Sequence, residues 1–323
     1  MTRTAASALL AAALVLTGCQ GSEPIASARD YPSGPVTMTA GANPGSGFDV
    51  TIRSVVEALE SEHLVDVPLP VQNRPGASGA DFLAVMVEQY GGHDDQVSVT
   101  SLSMMMNELR GTSRYGYDDV TMLARIMTEY FVVVTGPQSP FKNLADVMIA
   151  ITSNPAGVAV GAAHDDEAPF DLLVSAAGGD PSLVNYVTHE GGGDQSIALR
   201  NGDIGVAIGG VSEFVGQIES GDLAALGVLA EQRLPGLDVP TAEEQGFDVT
   251  LSNWRGLYGP PDMPQPAVAF WQRVLGEMVQ SPTWSRIAER SQFTTTFMIG
   301  DELQTFLAET QSEVATALHE AGR

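Results

Sequence analysis

Short apolar runs rich in β-branched residues alternate with stretches of helical spacing along most of this 323-residue chain, and glycine-bearing turns separate them. Residues 36–40 read as a strand, and Val50, Val55, Val56 and Leu59 then recur on one helical face within 49–64. Residues 65–71 read as a strand in which Pro68 and Pro70 mark an edge or irregular position. A helix over 78–90, a strand at 97–100 and a Met-rich helix near 102–110 follow. The rhythm resumes with strands at 130–135, 158–161, 185–188, 204–208 and 224–230, and with helices at 143–151, 168–177, 194–201 and 211–218. From Pro264 onward the pattern is almost all helical. Such alternation implies mostly parallel sheets flanked by helices. Two blocks of it, with the tail helices returning to the first, predict an α/β fold of two lobes. One is residues 35–130 plus 256–323, the other 131–255, with hinge crossings near 131–137 and 251–258. No internal repeat is clear.

The N-terminus carries a different signal. Arg3 precedes an apolar run from Ala5 to Leu16. Twelve residues are too few for a bilayer core of roughly 30 Å, which needs about 20 in a helix. A basic start, a short apolar stretch and small residues after it read as a secretory signal. Leu16-Thr17-Gly18-Cys19 resembles the lipobox of bacterial lipoproteins. That resemblance implies removal of residues 1–18, acylation of Cys19 and a place outside the cytoplasm on a membrane surface. Residues 19–34, polar with Pro and Gly, read as a flexible tether. Cys19 is the single cysteine, so an internal disulfide or a thiolate metal cluster is excluded.

Lys+Arg number 15 against 40 Asp+Glu, a formal charge of −25, and Lys142 is the single lysine. Such a surface repels nucleic acid and anionic lipid. It leaves few basic side chains for an anionic ligand, so main-chain N–H groups become the candidates.

Several segments could supply them. Gly41-Ala42-Asn43-Pro44-Gly45-Ser46-Gly47-Phe48-Asp49 follows a strand and opens a helix, where glycines permit close backbone approach and the helix end favours negative charge. Asp49 can cap free N–H groups or meet a ligand donor. The segment lacks the third glycine of a dinucleotide fingerprint and the Lys-Ser/Thr of a phosphate loop. Gly191-Gly192-Gly193 and Gly209-Gly210-Val211-Ser212-Glu213 occupy similar strand-to-helix positions, and Ser212 with Glu213 also reads as capping. Each of these is equally readable as an ordinary turn. His164-Asp165-Asp166-Glu167 reads as a solvated loop, or less readily as oxygen ligands for a cation. No histidine pair has metal-ligand spacing. Gly76-Ala77-Ser78-Gly79-Ala80 falls one residue short of a nucleophile elbow. The expectation is a protein that is not an enzyme and holds neither metal nor cofactor.

Taken together, Asn43 to Asp49, Asn73-Arg74-Pro75-Gly76-Ala77-Ser78-Gly79, Leu123-Ala124-Arg125, Asn185-Tyr186-Val187, Ser212-Glu213-Phe214, Val239-Pro240-Thr241, Glu244-Gln245-Gly246 and Asn253-Trp254-Arg255-Gly256 resemble the receptors of tripartite tricarboxylate transporters, the Bug family. The resemblance implies a two-lobed fold like that of periplasmic binding proteins, closing on a small carboxylate held largely by backbone groups and ordered water. It implies delivery to membrane permease subunits by a monomer. The ligand-binding residues it implies are Asn43, Pro44, Gly45, Ser46, Gly47, Phe48, Asp49, Ser101, Ser103, Ala162, His164, Asp171, Gly191, Gly192, Gly193, Ser212, Glu213 and Trp254. A solute sensor serving a signalling partner is the alternative. The chain departs from the family where relatives carry a Gly/Ser-rich stretch before the acidic position matched by Asp171. Here Asp165, Asp166 and Glu167 intervene, which leaves a non-tricarboxylate ligand (an amino or hydroxy acid, or a metal-chelated one) as the alternative to a tricarboxylate.

Overall fold

Apolar side chains on both faces of one sheet set the architecture. The computed structural model describes residues 31–163 and 165–320. The signal segment, Cys19 and most of the tether therefore lie outside the described residues, as does His164. The element order is β1 (Thr37–Ala40), α1 (Gly47–Ser61), β2 (Val71–Asn73), α2 (Ala80–Gln89), β3 (Gln96–Ser101), α3 (Leu102–Leu109), β4 (Thr121–Thr135), α4 (Leu144–Ser153), β5 (Ala159–Ala162) and α5 (Glu167–Ala176). It continues with β6 (Asn185–Thr188), α6 (Gly192–Asn201), β7 (Val206–Gly210), α7 (Val211–Ser220), β8 (Ala224–Val228), β9 (Ser252–Gly259), α8 (Gln265–Val279), α9 (Pro282–Ser291), β10 (Thr294–Met298) and α10 (Gly300–Glu320).

Among the described residues the strands run in the order β2-β1-β3-β9-β4-β7-β5-β6, with β10 and β8 also on β4. β1, β2 and β3 are parallel in one half, and β5, β6 and β7 in the other. β4 joins the halves. It pairs antiparallel with β10 and β9 as far as Thr128 and Tyr130, then with β7 and β8 from Phe131 and Val132 onward.

Side-chain alternation shows why both halves are layered. On β4, Phe131 and Val133 enter a core with Leu144, Val147 and Phe170, whereas Val132 and Val134 enter one with Leu199 and Phe214. Successive strand residues point to opposite faces, so helices cover both. In the first half, α1, α8 and α9 pack Ile52, Trp271 and Trp284 on one face. Helices α2, α3 and α10 pack Leu83, Met105 and Leu307 on the other.

Four expectations need correction. The strand expected at 65–71 shrinks to Val71–Asn73. Proline has no N–H to donate to a ladder, and Pro68 and Pro70 instead accept through their carbonyls from Val36 and Met38. β4 begins nine residues earlier than the expected Tyr130, because Met122 to Met127, Arg125 apart, is apolar and buried on both faces and shows no period of two. Residues 252–259, for which no strand was expected, form the buried strand β9. The tail is interrupted by β10, whose Thr294 and Thr295 are exposed and lack an apolar signature.

Candidate functional site

The loop after β1 turns into α1 through local capping. Ser46, at the N-cap, accepts from the Asp49 N–H (3.2 Å), and Asp49 Oδ2 accepts from the Gly45 N–H (2.9 Å). Asp49 Oδ1 also accepts from Arg53 Nε (2.8 Å) and Asn73 Nδ2 (2.9 Å). Burial would raise the Asp49 pKa, but Arg53, the Gly45 N–H and Asn73 together hold it below the usual carboxylate value. Asp49 thus binds the loop to the helix rather than facing a solute. Asp49→Ala should destabilise the protein by about 2–3 kcal/mol, since it strips a charged acceptor from three donors. Thermal unfolding of the variant checks this, and an unchanged midpoint would remove the capping role.

The glycines before α6 sit against that loop. A Cβ on Gly191 (φ 138°) would lie 2.5 Å from the Ser46 Cβ, and one on Gly193 would lie 2.8 Å from the Pro44 carbonyl oxygen. Asn43 Nδ2 donates to Asp194 Oδ2 at 2.8 Å. One glycine segment from each half therefore meets the other at backbone contact distance.

Beneath them lies a buried charge network. Glu213 accepts from the N–H of Gly192 (2.7 Å) through one oxygen and from that of Gly210 (3.0 Å) through the other. Glu129, fully buried, accepts from Ser212 Oγ (2.6 Å) and, through its other oxygen, from Arg255 Nε (2.9 Å) and Nη2 (2.6 Å). The Arg255 guanidinium also stands over the Phe48 ring, 5.3 Å from its centroid. Asp49 thus takes the N–H of Gly45, Glu213 those of Gly192 and Gly210, and Glu129 that of Ser212. By helix geometry, the N–H groups of Gly47 and Phe48 in the first turn of α1 have no intrahelical acceptor.

Two cavities adjoin the network. A small one of about 30 Å³ is lined by Ser46, Gly47, Phe48, Gly191 and Glu213, together with Ala42, Ser78, Ala163, Asp165, Asp166, Glu190 and Arg255. A larger cleft of about 380 Å³ takes Ser103 and Met106 from α3, Pro169, Asp171 and Leu172 from α5, Phe131 from β4, and Leu251 and Asn253 at the start of β9. Asp165 lines both. Burial, then Glu129, pushes Glu213 up to about 7 against the opposing pull of Arg255. Burial, then Asp165 and Glu213, raises the Asp166 carboxyl well above the usual range. Ser78 holds φ 49° and Ala77 φ 47°, a left-handed turn uncommon without glycine. Its Ser78 carbonyl accepts from Ser103 Oγ (3.4 Å), and Asn107 Nδ2 donates to the Ala77 carbonyl (3.0 Å). Strain of this kind gathers at functional sites.

The remaining expected site residues scatter. Ser101 caps α3 and is buried, with its Oγ donating to Ser103 Oγ at 3.0 Å. Ala162 ends β5 in the core, and Ser212 is held by Glu129. Asp171 is reached by the Tyr186 hydroxyl at 2.7 Å. Trp254 packs edge-on to Phe306 in the core under α2 and α10 and lines neither cavity. Asp166, expected in a solvated loop, is 6% exposed. Among the described residues, no three His, Cys, Asp or Glu side chains are grouped to hold a metal ion. Sequence reasoning missed Glu129, Arg255 and Glu190 as site residues. An arginine inside the otherwise buried run Asn253 to Gly259 was the available signal, since a buried arginine needs a carboxylate.

The model of the family described as tripartite tricarboxylate transporter family receptor matches residues 52–322. Protein BugT of Bordetella pertussis is 24% identical over 307 residues, 92% of each chain. Among solved structures, the periplasmic binding protein BugD superposes with a TM-score of 0.82 at 18% identity, over 90% of this chain and 99% of its own. MatC of Rhodopseudomonas palustris, with bound malate, superposes at 0.77 and 20% identity with the same coverages. No helix among the described residues is long and apolar enough to cross a membrane.

Proposed function

Since this chain belongs to the tripartite tricarboxylate transporter receptor family, we propose that it captures a small carboxylate outside the cytoplasm and hands it to the membrane permease of such a transporter. The observation that carries this reading is the meeting of two glycine segments, one from each half, over a cavity into which α1 points its N-terminus. The open N–H groups of Gly47 and Phe48 and the positive end of the helix suit a carboxylate there. That MatC binds malate supports the carboxylate class. The chain acts as a binding protein and not a catalyst, as its family membership supports; the Ser78 loop is held through its main-chain carbonyl by Ser103 and Asn107.

Access to the site requires the halves to part, and β4 and β9 are where they are joined. Opening is a hinge motion about residues 131–137 and 251–258. Cys19 carries the lipid that keeps the receptor beside its permease. Isothermal titration of the mature chain against monocarboxylates, malate, adipate, citrate and amino acids, paired with X-ray scattering, tests the reading. Binding of at least one compound with a more compact scattering curve is expected. Heat from none of them, together with an unchanged melting midpoint, would end the receptor assignment. A chain mass without acyl additions after expression in a lipoprotein-processing host would end the anchor assignment.

A further inference from the structure

We propose that the solute is an α-amino acid with a large apolar side chain: its carboxylate at the start of α1, its ammonium at Asp166 and its side chain in the 380 Å³ cleft. The inference rests on the receptor reading and narrows it.

Asp166 is 94% buried by its 6% exposure, and its side chain makes no capping hydrogen bond at the head of α5. Its carboxyl lies in the field of Asp165, Glu213, Arg255 and Glu129, the groups gathered at the small cavity. No described residue donates to it. A buried carboxyl without a donor is costly, and it lines the same cavity as Gly47 and Phe48, the acceptor-free start of α1. Opposite polar needs thus stand side by side: open N–H donors and an unpartnered acceptor. A carboxylate beside an ammonium satisfies both.

The charge around them selects against further anionic groups. Asp165, Asp166, Glu190 and Glu213 line the small cavity, and Arg255, the one lysine or arginine among its described lining residues, is already bonded through two nitrogens to Glu129. A zwitterion adds no net charge, whereas malate or citrate adds two or three negative ones to a lining already rich in carboxylates. Size agrees. At roughly 10–15 Å³ per water-sized group, a cavity of about 30 Å³ takes a polar head of two or three such groups and not a tricarboxylate. The adjoining cleft has Met106, Phe131, Pro169, Leu172 and Leu251 on its walls, beside Arg110, Asp171 and Asp180. Asp165 lines both spaces, and the ligand we propose passes this residue from the small cavity into the cleft.

The test is titration calorimetry on the mature chain with L-phenylalanine, L-leucine, 3-phenylpropanoate, malate and citrate. 3-Phenylpropanoate keeps the carboxylate and the apolar body and lacks the ammonium. Phenylalanine or leucine should bind about tenfold or more tightly than 3-phenylpropanoate and malate. In Asp166→Asn the preference for phenylalanine over 3-phenylpropanoate should fall below about threefold. In Leu172→Asp, at a half-exposed position, phenylalanine should lose about tenfold in affinity. Tighter or equal binding of malate, citrate or 3-phenylpropanoate overturns this inference and leaves the receptor reading standing. So does an amino-acid preference that survives Asp166→Asn. Silence from every compound overturns both.

Discussion

Arg255→Ala is expected to destabilise the protein by about 3–5 kcal/mol, the cost of leaving a buried charge without its partner. Glu129 is fully buried and Arg255 is 4% exposed, so water replaces neither side of the pair. In the variant Glu129 keeps the Ser212 hydroxyl but loses both guanidinium bonds. The same change opens a void beside Phe48 and Gly47, which the guanidinium now fills. For a chain of this size the loss corresponds to a fall of about 5–8 °C in the thermal midpoint. The double variant Glu129→Leu/Arg255→Met should recover more than half of it, because an apolar pair carries no desolvation penalty. A single-variant loss below about 1 kcal/mol, the range of exposed pairs, would show that the network is hydrated rather than buried.

The second large effect is on pH. Stability of the unliganded protein should fall as pH rises from 5 to 8. Glu213 titrates at about 7 in the fold against an ordinary value of 4.5. Between those values the native state holds a proton that the unfolded chain has released, so stability declines through that window and levels off above it. The gap corresponds to about 3 kcal/mol. Asp166, raised in the same direction, adds to the decline. The groups facing the two are Asp165, Glu129 and Arg255, and Arg255 alone among them opposes the shift. Asp49 acts in the opposite sense at lower pH. Its pKa is depressed in the fold, so its contribution is present above the ordinary carboxylate value and is lost as pH falls through the native one. The optimum should therefore lie near pH 5. Melting curves at pH 5, 6, 7 and 8 measure this, and Asp166→Asn should flatten the slope. A midpoint that rises toward pH 8 would contradict the burial of these carboxyls.

Much of the architecture is legible in sequence because it is local. Val36 to Ala40, Val55 to Leu59 and Val211 to Ile218 carry strand or helix periods that survive in β1, α1 and α7. The elements that stayed hidden are those whose form depends on neighbours. The first part of β4 is apolar on both faces, and β9 keeps an arginine that reads as polar until Glu129 lies beside it. The glycine segments were legible as close-approach positions, and they do approach one another. Which donors they leave open was not legible, because Glu213 and Glu129 arrive from elements 21 and 83 residues away in sequence.

The order of the chain by itself determined an α/β fold, the glycine turns between its elements and an acidic surface short of basic side chains, since periodicity and charge are properties of neighbouring residues. Tertiary structure alone decided that Asp49 caps its loop with three donors, that Arg255 pairs with Glu129, and that Asp166 is buried at a cavity beside the start of α1. Those outcomes depend on which groups lose water together, and burial is a property of the folded whole.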